Sequence, residues 1–266
     1  MRRIPLSTGV TLAVQESGRG APVVLLHAWG ETHRSFDRLV PLLPGDLRLV
    51  VPDLRGVGES DKPDGGYSVE DAAGDVVALL DELGLHDGWL LGTSSGGYLA
   101  QQVAVQHPER VRGLVLVGAP SDLRGQVPRA LAGELAAFHD PVTPDDIRAV
   151  NQALPLHAPV PDGFLADQAD AALTIPRAVW LAGIEGLVTA EPPLRRGTIV
   201  APALVLWGAE DDILPETQAH ELAAAIGGSR LVIYEATGHL VLWERPGRVA
   251  EDAAAFIAAH EGGSPP

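Results

Sequence analysis

The 266-residue chain contains no cysteine. Disulfides, thiolate metal sites and a cysteine nucleophile are therefore excluded, and the redox compartment stays undetermined. Basic residues are scarce as well: 19 Lys and Arg stand against 35 Asp and Glu, a formal charge of −16. A field of that sign repels phosphate backbones and anionic lipid surfaces, so neither nucleic acid nor a membrane is an expected partner. Long apolar runs are missing too. No segment reaches the length that spans a bilayer, and Pro5, Ser7 and Thr8 interrupt any signal-peptide core after Met1-Arg2-Arg3. A cytoplasmic location is the resulting expectation. Finally, there is no Gly-rich phosphate loop ending in Lys-Ser or Lys-Thr and no histidine pair at metal spacing. Gly18-Arg19-Gly20 precedes its strand, and Gly56-Val57-Gly58 lacks a third glycine and a following helix, so a nicotinamide cofactor is not expected. The reading is of no cofactor, no metal and a small-molecule substrate, with the oligomeric state, a homo-oligomer included, left open.

What is present is a large apolar content, 46% of the residues, enough for one sizeable core. Short β-rich runs at 23–26, 47–51, 89–91, 114–117, 203–207 and 231–234 are bounded by Gly, Pro or Asp and read as buried strands. Helical spacing separates them: Val69, Ala73, Val76, Val77 and Leu80, then Leu99, Val103 and Ala104, then helices at 216–225 and 248–259. Such alternation predicts an α/β fold with a mostly parallel sheet and helices on both faces. It breaks between residues 121 and 197, where Pro128, Pro141, Pro144, Pro155, Pro159, Pro161 and Pro176 punctuate short helical pieces. The expected organisation is a core of residues 1–120 and 198–266 with a helical insertion at 121–197. Only the tail 262–266 reads as disordered.

The candidate chemistry centres on Gly92-Thr93-Ser94-Ser95-Gly96, followed by Gly97. A strand runs into it and an amphipathic stretch leaves it, the context in which a sharp strand-to-helix turn lifts a serine hydroxyl clear of the backbone. The competing reading is a Gly-rich turn that only tightens the junction. A serine needs a base, and of nine histidines His239 follows a strand at the sheet edge where Ser94 also lies. The base needs a carboxylate to hold its tautomer. Glu210, Asp211 and Asp212 follow the strand at 203–207 at that same edge, and Asp122, after the strand at 114–117, is the rival. The order serine, acid, histidine is that of one class of triad and not of the chymotrypsin or subtilisin types.

With these residues in order, the chain resembles the α/β-hydrolase superfamily over nearly its whole length. The resemblance rests on the elbow 92–97, on Gly208-Ala209-Glu210-Asp211-Asp212-Ile213-Leu214-Pro215, and on Gly238-His239 with Glu244-Arg245-Pro246. His27-Ala28-Trp29-Gly30 and Asp53-Leu54-Arg55-Gly56-Val57-Gly58-Glu59-Ser60 add to it. It implies an eight-stranded, mostly parallel sheet with a helical cap, and it puts the acid on Asp211. It also implies an oxyanion hole made by the backbone N–H groups of Trp29 and Ser95, where loss of one donor costs about 3 to 4 kcal/mol. The family usually has His-Gly where this chain has His27-Ala28, and alanine tolerates positive φ less well than glycine. His27 is expected to brace that loop, Asp53 and Arg55 to form a structural ion pair or turn contact, and Trp207 and Trp243 to pack in the core or a pocket wall.

The expected activity is a serine hydrolase that cleaves an uncharged, fairly apolar carboxylic ester or lactone through an acyl-enzyme. Alternatives within the resemblance are a carbon–carbon bond hydrolase of ring-fission products, a cofactor-free perhydrolase or haloperoxidase, and a hormone receptor that keeps the triad. Epoxide hydrolases and haloalkane dehalogenases carry aspartate at the nucleophile position, which here is Ser94. The insertion is expected to lie over the triad as a lid, with Leu131, Leu135, Phe138, Leu154, Leu156, Phe164, Trp180 and Leu181 too numerous to bury among themselves.

Overall fold

A computed structural model of the protein describes residues 1–125 and 135–261. Eight strands form one sheet: β1 (Arg2–Pro5), β2 (Thr11–Ser17), β3 (Ala21–Leu26), β4 (Leu47–Pro52), β5 (Gly88–Thr93), β6 (Val111–Val117), β7 (Ala203–Gly208) and β8 (Arg230–Tyr234). Their spatial order is β1-β2-β4-β3-β5-β6-β7-β8. β3 through β8 pair in parallel, whereas β1 and β2 pair antiparallel with each other and β2 with β4.

The central strands read as unbroken apolar runs because both faces of the sheet are covered. Along β3, Val23 and Leu25 enter one core cluster and Val24 and Leu26 the other. On β6, Val115 and Val117 alternate in the same way with Leu114 and Leu116. One face is covered by α1 (Val69–Glu82), α2 (Ser95–Gln106) and a helix at Thr217–Ala225, which bury Val76, Leu79, Tyr98, Val103 and Leu222. The C-terminal helix Pro246–Glu261 closes the other face with Val249, Ala253, Phe256 and Ile257, joined by Phe36. α1 starts sharply because the Ser68 hydroxyl accepts from the Asp71 N–H while the Asp71 carboxylate accepts from the Ser68 N–H.

Between β6 and β7 the described residues include the helices α3 (Pro144–Gln152), α4 (Asp162–Leu173), α5 (Arg177–Thr189) and α6 (Pro193–Arg196). The two helices after β8 and the one before it then take the labels α7 (Thr217–Ala225), α8 (Val241–Glu244) and α9 (Pro246–Glu261). Leu135, Phe138, Ile147, Val150, Ile175, Val179 and Trp180 of the inserted segment form a third apolar cluster, with Val57 added from the loop after β4. Of the insertion residues expected to be apolar contacts, Leu156 is exposed and Phe164 packs edge-on against Trp243 at 5.5 Å. Pro128, Leu131 and the tail at 262–266 lie outside the described residues.

Two strands, β1 and β2, were not expected from apolar runs. In β1 only Ile4 is buried, and β2 turns polar after Val14, so neither shows a continuous apolar signal. Each expected strand is present but longer at one or both ends. No single helix among the described residues is long and apolar enough to cross a membrane; α4 and α5 meet the composition together but are bent by 97°.

Candidate active site

Ser94 ends the β5-to-α2 connection with φ 48° and ψ −119°, a left-handed conformation that a non-glycine residue adopts only when its surroundings impose it. Here they do. The Ser94 N–H donates to the Val117 carbonyl at 2.8 Å, and its own carbonyl accepts from Gly97 at 2.9 Å and Tyr98 at 3.1 Å. The flanking glycines are required by close approach: a Cβ on Gly96 would sit 2.1 Å from the Leu26 carbonyl oxygen, and one on Gly92 would sit 2.4 Å from that of Gly96. The motif is thus a strained turn, which the alternative of a merely tight junction does not require.

His239 is brought to Ser94 by the loop after β8. Its Nε2 lies 3.0 Å from Ser94 Oγ and its Nδ1 2.8 Å from Asp211 Oδ2. The His239 and Asp211 side chains are 6% and 1% exposed, so both bonds are shielded from water. The other carboxylate oxygen of Asp211 accepts the N–H groups of Ile213 and Leu214, each at 2.9 Å, which fixes the carboxylate plane. These contacts assign the proton on His239 to Nδ1 and leave Nε2 to accept from the serine.

Three devices hold the histidine loop. Ala209 and Glu210 of the acid loop donate their N–H groups to the carbonyls of Tyr234 and Thr237. Buried Glu244 accepts the Gly238 N–H with both oxygens at 3.2 Å. Arg245 donates to the Ala236 carbonyl at 2.7 Å and to the Thr237 hydroxyl at 3.1 Å. The Glu244-Arg245-Pro246 segment therefore has a mechanical role.

The rival acids point elsewhere. Asp122 is bound by Arg124, whose guanidinium holds the Asp122 carboxyl below the usual carboxylate range. Asp212 and Glu210 both face His157 of the inserted segment, at 2.8 and 3.6 Å.

His27 braces the loop after β3 as expected: its Nε2 accepts the Leu54 N–H at 3.0 Å and its Nδ1 lies 2.9 Å from the Ala28 carbonyl oxygen. Burial lowers its pKa and keeps it neutral. Ala28 does not occupy positive φ; Gly30 does, at 78°. The departure from His-Gly is accommodated because the left-handed residue of this loop comes two positions later. Of the expected ion pair or turn contact, the ion pair between Asp53 and Arg55 is corrected and the turn contact is present: fully buried Asp53 accepts from the Glu59 N–H at 2.9 Å, and from the His33 ring and N–H, both at 2.8 Å. Arg55 instead grips Asp75 with two bonds of 2.6 Å. Both residues lie in the loop after β4, which ends at Pro52, so no strand geometry sets them side by side and each side chain takes the partner its loop brings near.

Of the two backbone donors implied by the resemblance, the Trp29 N–H lies 2.7 Å from the Ser95 hydroxyl oxygen. Two apolar cavities meet at this point. One, of about 90 Å³, is lined by Ser94, His239, Leu154, Ile184, Ile213 and Leu240; the other, of about 110 Å³, lies behind Trp29 and Ser95 against Leu99, Val179 and Trp180. Trp180 packs edge-on to Trp29 at 4.8 Å, and its carbonyl accepts the Trp29 indole N–H at 3.0 Å. Trp207 is fully buried in the core, and Trp243 lines a third, smaller cavity, both within the expected roles.

One side chain in the first cavity had no sequence signal. Glu31 accepts from the Ala28 N–H at 3.1 Å and the Ser35 hydroxyl at 2.7 Å, both through Oε2. Burial pushes its carboxyl above the ordinary value, against those two bonds and the nearby His239. Only the return of the chain after β3 brings it beside a histidine more than 200 positions later.

This geometry, a strained serine backed by a histidine and a fixed carboxylate at the C-terminal edge of a parallel sheet, defines a class. The chain belongs to the α/β hydrolase fold family, whose pattern it matches over residues 21–246. It is 30% identical to the pimeloyl-[acyl-carrier protein] methyl ester esterase of Aeromonas hydrophila, over 93% of this chain and 100% of that one. It is 28% identical to the 2-hydroxymuconate semialdehyde hydrolase of Pseudomonas sp. (strain CF600), over 95% of this chain and 92% of the relative. Among solved structures, the N-acyl homoserine lactone degrading enzyme Est816 superposes with a TM-score of 0.79 at 27% identity, covering 96% of this chain and 100% of that one.

Proposed function

We propose that the protein is a serine hydrolase that cleaves an uncharged, fairly apolar carboxylic ester or lactone through an acyl-enzyme on Ser94. The observation that carries this is the unbroken relay from Ser94 Oγ to His239 Nε2 at 3.0 Å and from His239 Nδ1 to Asp211 at 2.8 Å. In this reading His239 takes the serine proton as Oγ bonds to the substrate carbonyl carbon, and Asp211 stabilises the imidazolium. The N–H groups of Ser95 and Trp29 receive the developing oxyanion. His239 then returns the proton to the leaving oxygen, and a water deprotonated by the same histidine releases the acid.

The substrate class follows from the walls. The cavity at Ser94 is apolar, and its one carboxyl, Glu31, is uncompensated by any Arg or Lys among the described lining residues. Arg55 lines the neighbouring cavity but is committed to Asp75. A substrate bearing a carboxylate finds no counter-charge among the described lining residues, which weighs against a muconate-type substrate such as the one in the relative's name and toward a neutral ester or lactone. The segment that carries helices α3 to α6 between β6 and β7, which contributes Leu154 from the loop after α3 and Ile184 and Leu187 from α5 to that cavity, acts in this proposal as the cap that imposes the selection.

The test has two arms. A fluorophosphonate probe labels the wild type and spares Ser94→Ala; equal labelling of both would remove the assignment. On a panel of nitrophenyl esters, lactones and vinylogous diketones, kcat/KM rises with acyl or ring hydrophobicity and drops for carboxylate-bearing analogues. A preference for the diketones or for anionic esters would overturn the substrate class.

A further inference from the structure

The Trp29 N–H is the donor on which half of an oxyanion hole would depend, and it is already engaged. Ser95 Oγ accepts it at 2.7 Å, the separation at which a substrate oxyanion would itself sit from such a donor. One N–H cannot serve two oxygens at full strength along the same line, so the hydroxyl and the oxyanion compete for one place. The hydroxyl is also free to leave: among the described residues its own proton meets no acceptor, and Ser95 borders both cavities, with open space on each side of it. Ser95 lies at the first position of α2, and the bond from the Trp29 N–H is the one its hydroxyl makes among the described residues, so rotation breaks no other.

We propose that the Ser95 side chain is the resting occupant of the oxyanion hole, holding the Trp29 N–H until a substrate carbonyl enters and then rotating aside. This rests on the assignment of Ser94 as nucleophile and goes beyond it. The physical return is that a partly buried backbone donor is never left unpaired, at rest or in the transition state. Trp29 exchanges one oxygen acceptor for another, and the gain in the transition state comes from the full charge that only the oxyanion carries. Ser95 is in this sense a positioning residue: its backbone N–H serves the oxyanion directly, whereas its hydroxyl sets what that oxyanion must displace.

Ser95→Ala removes the occupant and leaves both N–H donors. Phenylboronic acid, which forms a reversible tetrahedral adduct with a nucleophilic serine, reports the hole's affinity, and the pre-steady-state burst with a nitrophenyl ester reports acylation. The variant is expected to bind the boronic acid about 2- to 10-fold more tightly and to acylate faster by a similar factor, the worth of one neutral hydrogen bond, with a melting temperature lower by a few degrees because the resting Trp29 N–H loses its acceptor. Equal or weaker binding overturns the proposal, and slower acylation shows instead that the hydroxyl donates to the oxyanion. A crystal structure of the wild-type boronate adduct checks the same point directly: the boronate oxygen is expected on the Trp29 N–H with the Ser95 hydroxyl turned away, and a hydroxyl still bonded there refutes the exchange. Ser94→Ala separates the two levels. If that variant still forms the adduct, the nucleophile assignment and this inference fall together; if it does not and Ser95→Ala behaves as wild type, only the inference fails.

Discussion

Replacing Asp211 by asparagine changes one oxygen into an amide nitrogen, and the local hydrogen bonds dictate which one. Oδ1 accepts two backbone N–H groups, from Ile213 and Leu214, at 2.9 Å each, so the amide oxygen must stay on that side. The NH2 group is then forced toward His239 Nδ1, where Oδ2 stood at 2.8 Å. Two donors cannot face each other, so His239 moves its proton to Nε2 and presents an N–H to Ser94 Oγ instead of a lone pair. The base is lost while the side-chain positions survive. A tautomer reversal of this kind costs on the order of 10⁴ in kcat, about 5 kcal/mol of transition-state stabilisation. Folding should suffer far less: one charged hydrogen bond is exchanged for a neutral arrangement, about 1 to 2 kcal/mol, or a melting temperature lower by roughly 2–8 °C for a chain of this size. The assay is the steady-state hydrolysis rate of a good nitrophenyl ester beside thermal unfolding, with Asp122→Asn as the comparison. Asp122 is paired with Arg124, so its variant should keep kcat within about threefold. Full activity in Asp211→Asn, or a crippled Asp122→Asn, would refute the reasoning.

Trp180→Ala empties a ring that is 2% exposed and braced against Trp29 and Phe138, and should cost about 3–5 kcal/mol in chemical denaturation along with a loss of kcat/KM as the Trp29 loop loses its backing. Trp180→Phe keeps an aromatic ring there and deletes an indole N–H that has no partner among the described residues, so it should cost about 1.5 kcal/mol or less; equal losses in the two variants would show that ring packing is not the cause. Asp53→Asn tests the buried carboxylate beneath the same loop. Burial raises the Asp53 pKa, but the bonds from His33 and Glu59 outweigh it and hold the group below its ordinary 3.8. A depressed carboxyl contributes stability above its unfolded value and loses it as pH falls through the folded one. The variant should be about 2 kcal/mol less stable near neutrality, with the gap to wild type closing below about pH 4; parallel melting curves across that range would show that the charge contributes nothing.

The strained serine and the parallel sheet were legible in the residues themselves because both are local demands. Gly92, Gly96 and Gly97 around Ser94 mark a turn whose neighbours tolerate no side chain, and the runs of β3, β5, β6 and β7 are apolar because both their faces are covered. The edge strand β1 carries no such mark, since a half-exposed strand needs only an occasional buried residue such as Ile4, and its neighbour β2 buries only the short run Leu12, Ala13 and Val14. Resemblance narrows the choice among Glu210, Asp211 and Asp212, and what sets the three apart is the geometry of their loop. Asp211 turns back onto the N–H groups of its own loop and faces inward, while its two neighbours reach out to His157. Partner choice at Asp53 and Arg55, the carboxyl of Glu31 beside His239, and the Ser95 hydroxyl on the Trp29 N–H all join residues far apart in the chain. A sequence states which groups can donate and accept; only the packed chain, through the few ångströms over which a hydrogen bond acts, decides which of them meet.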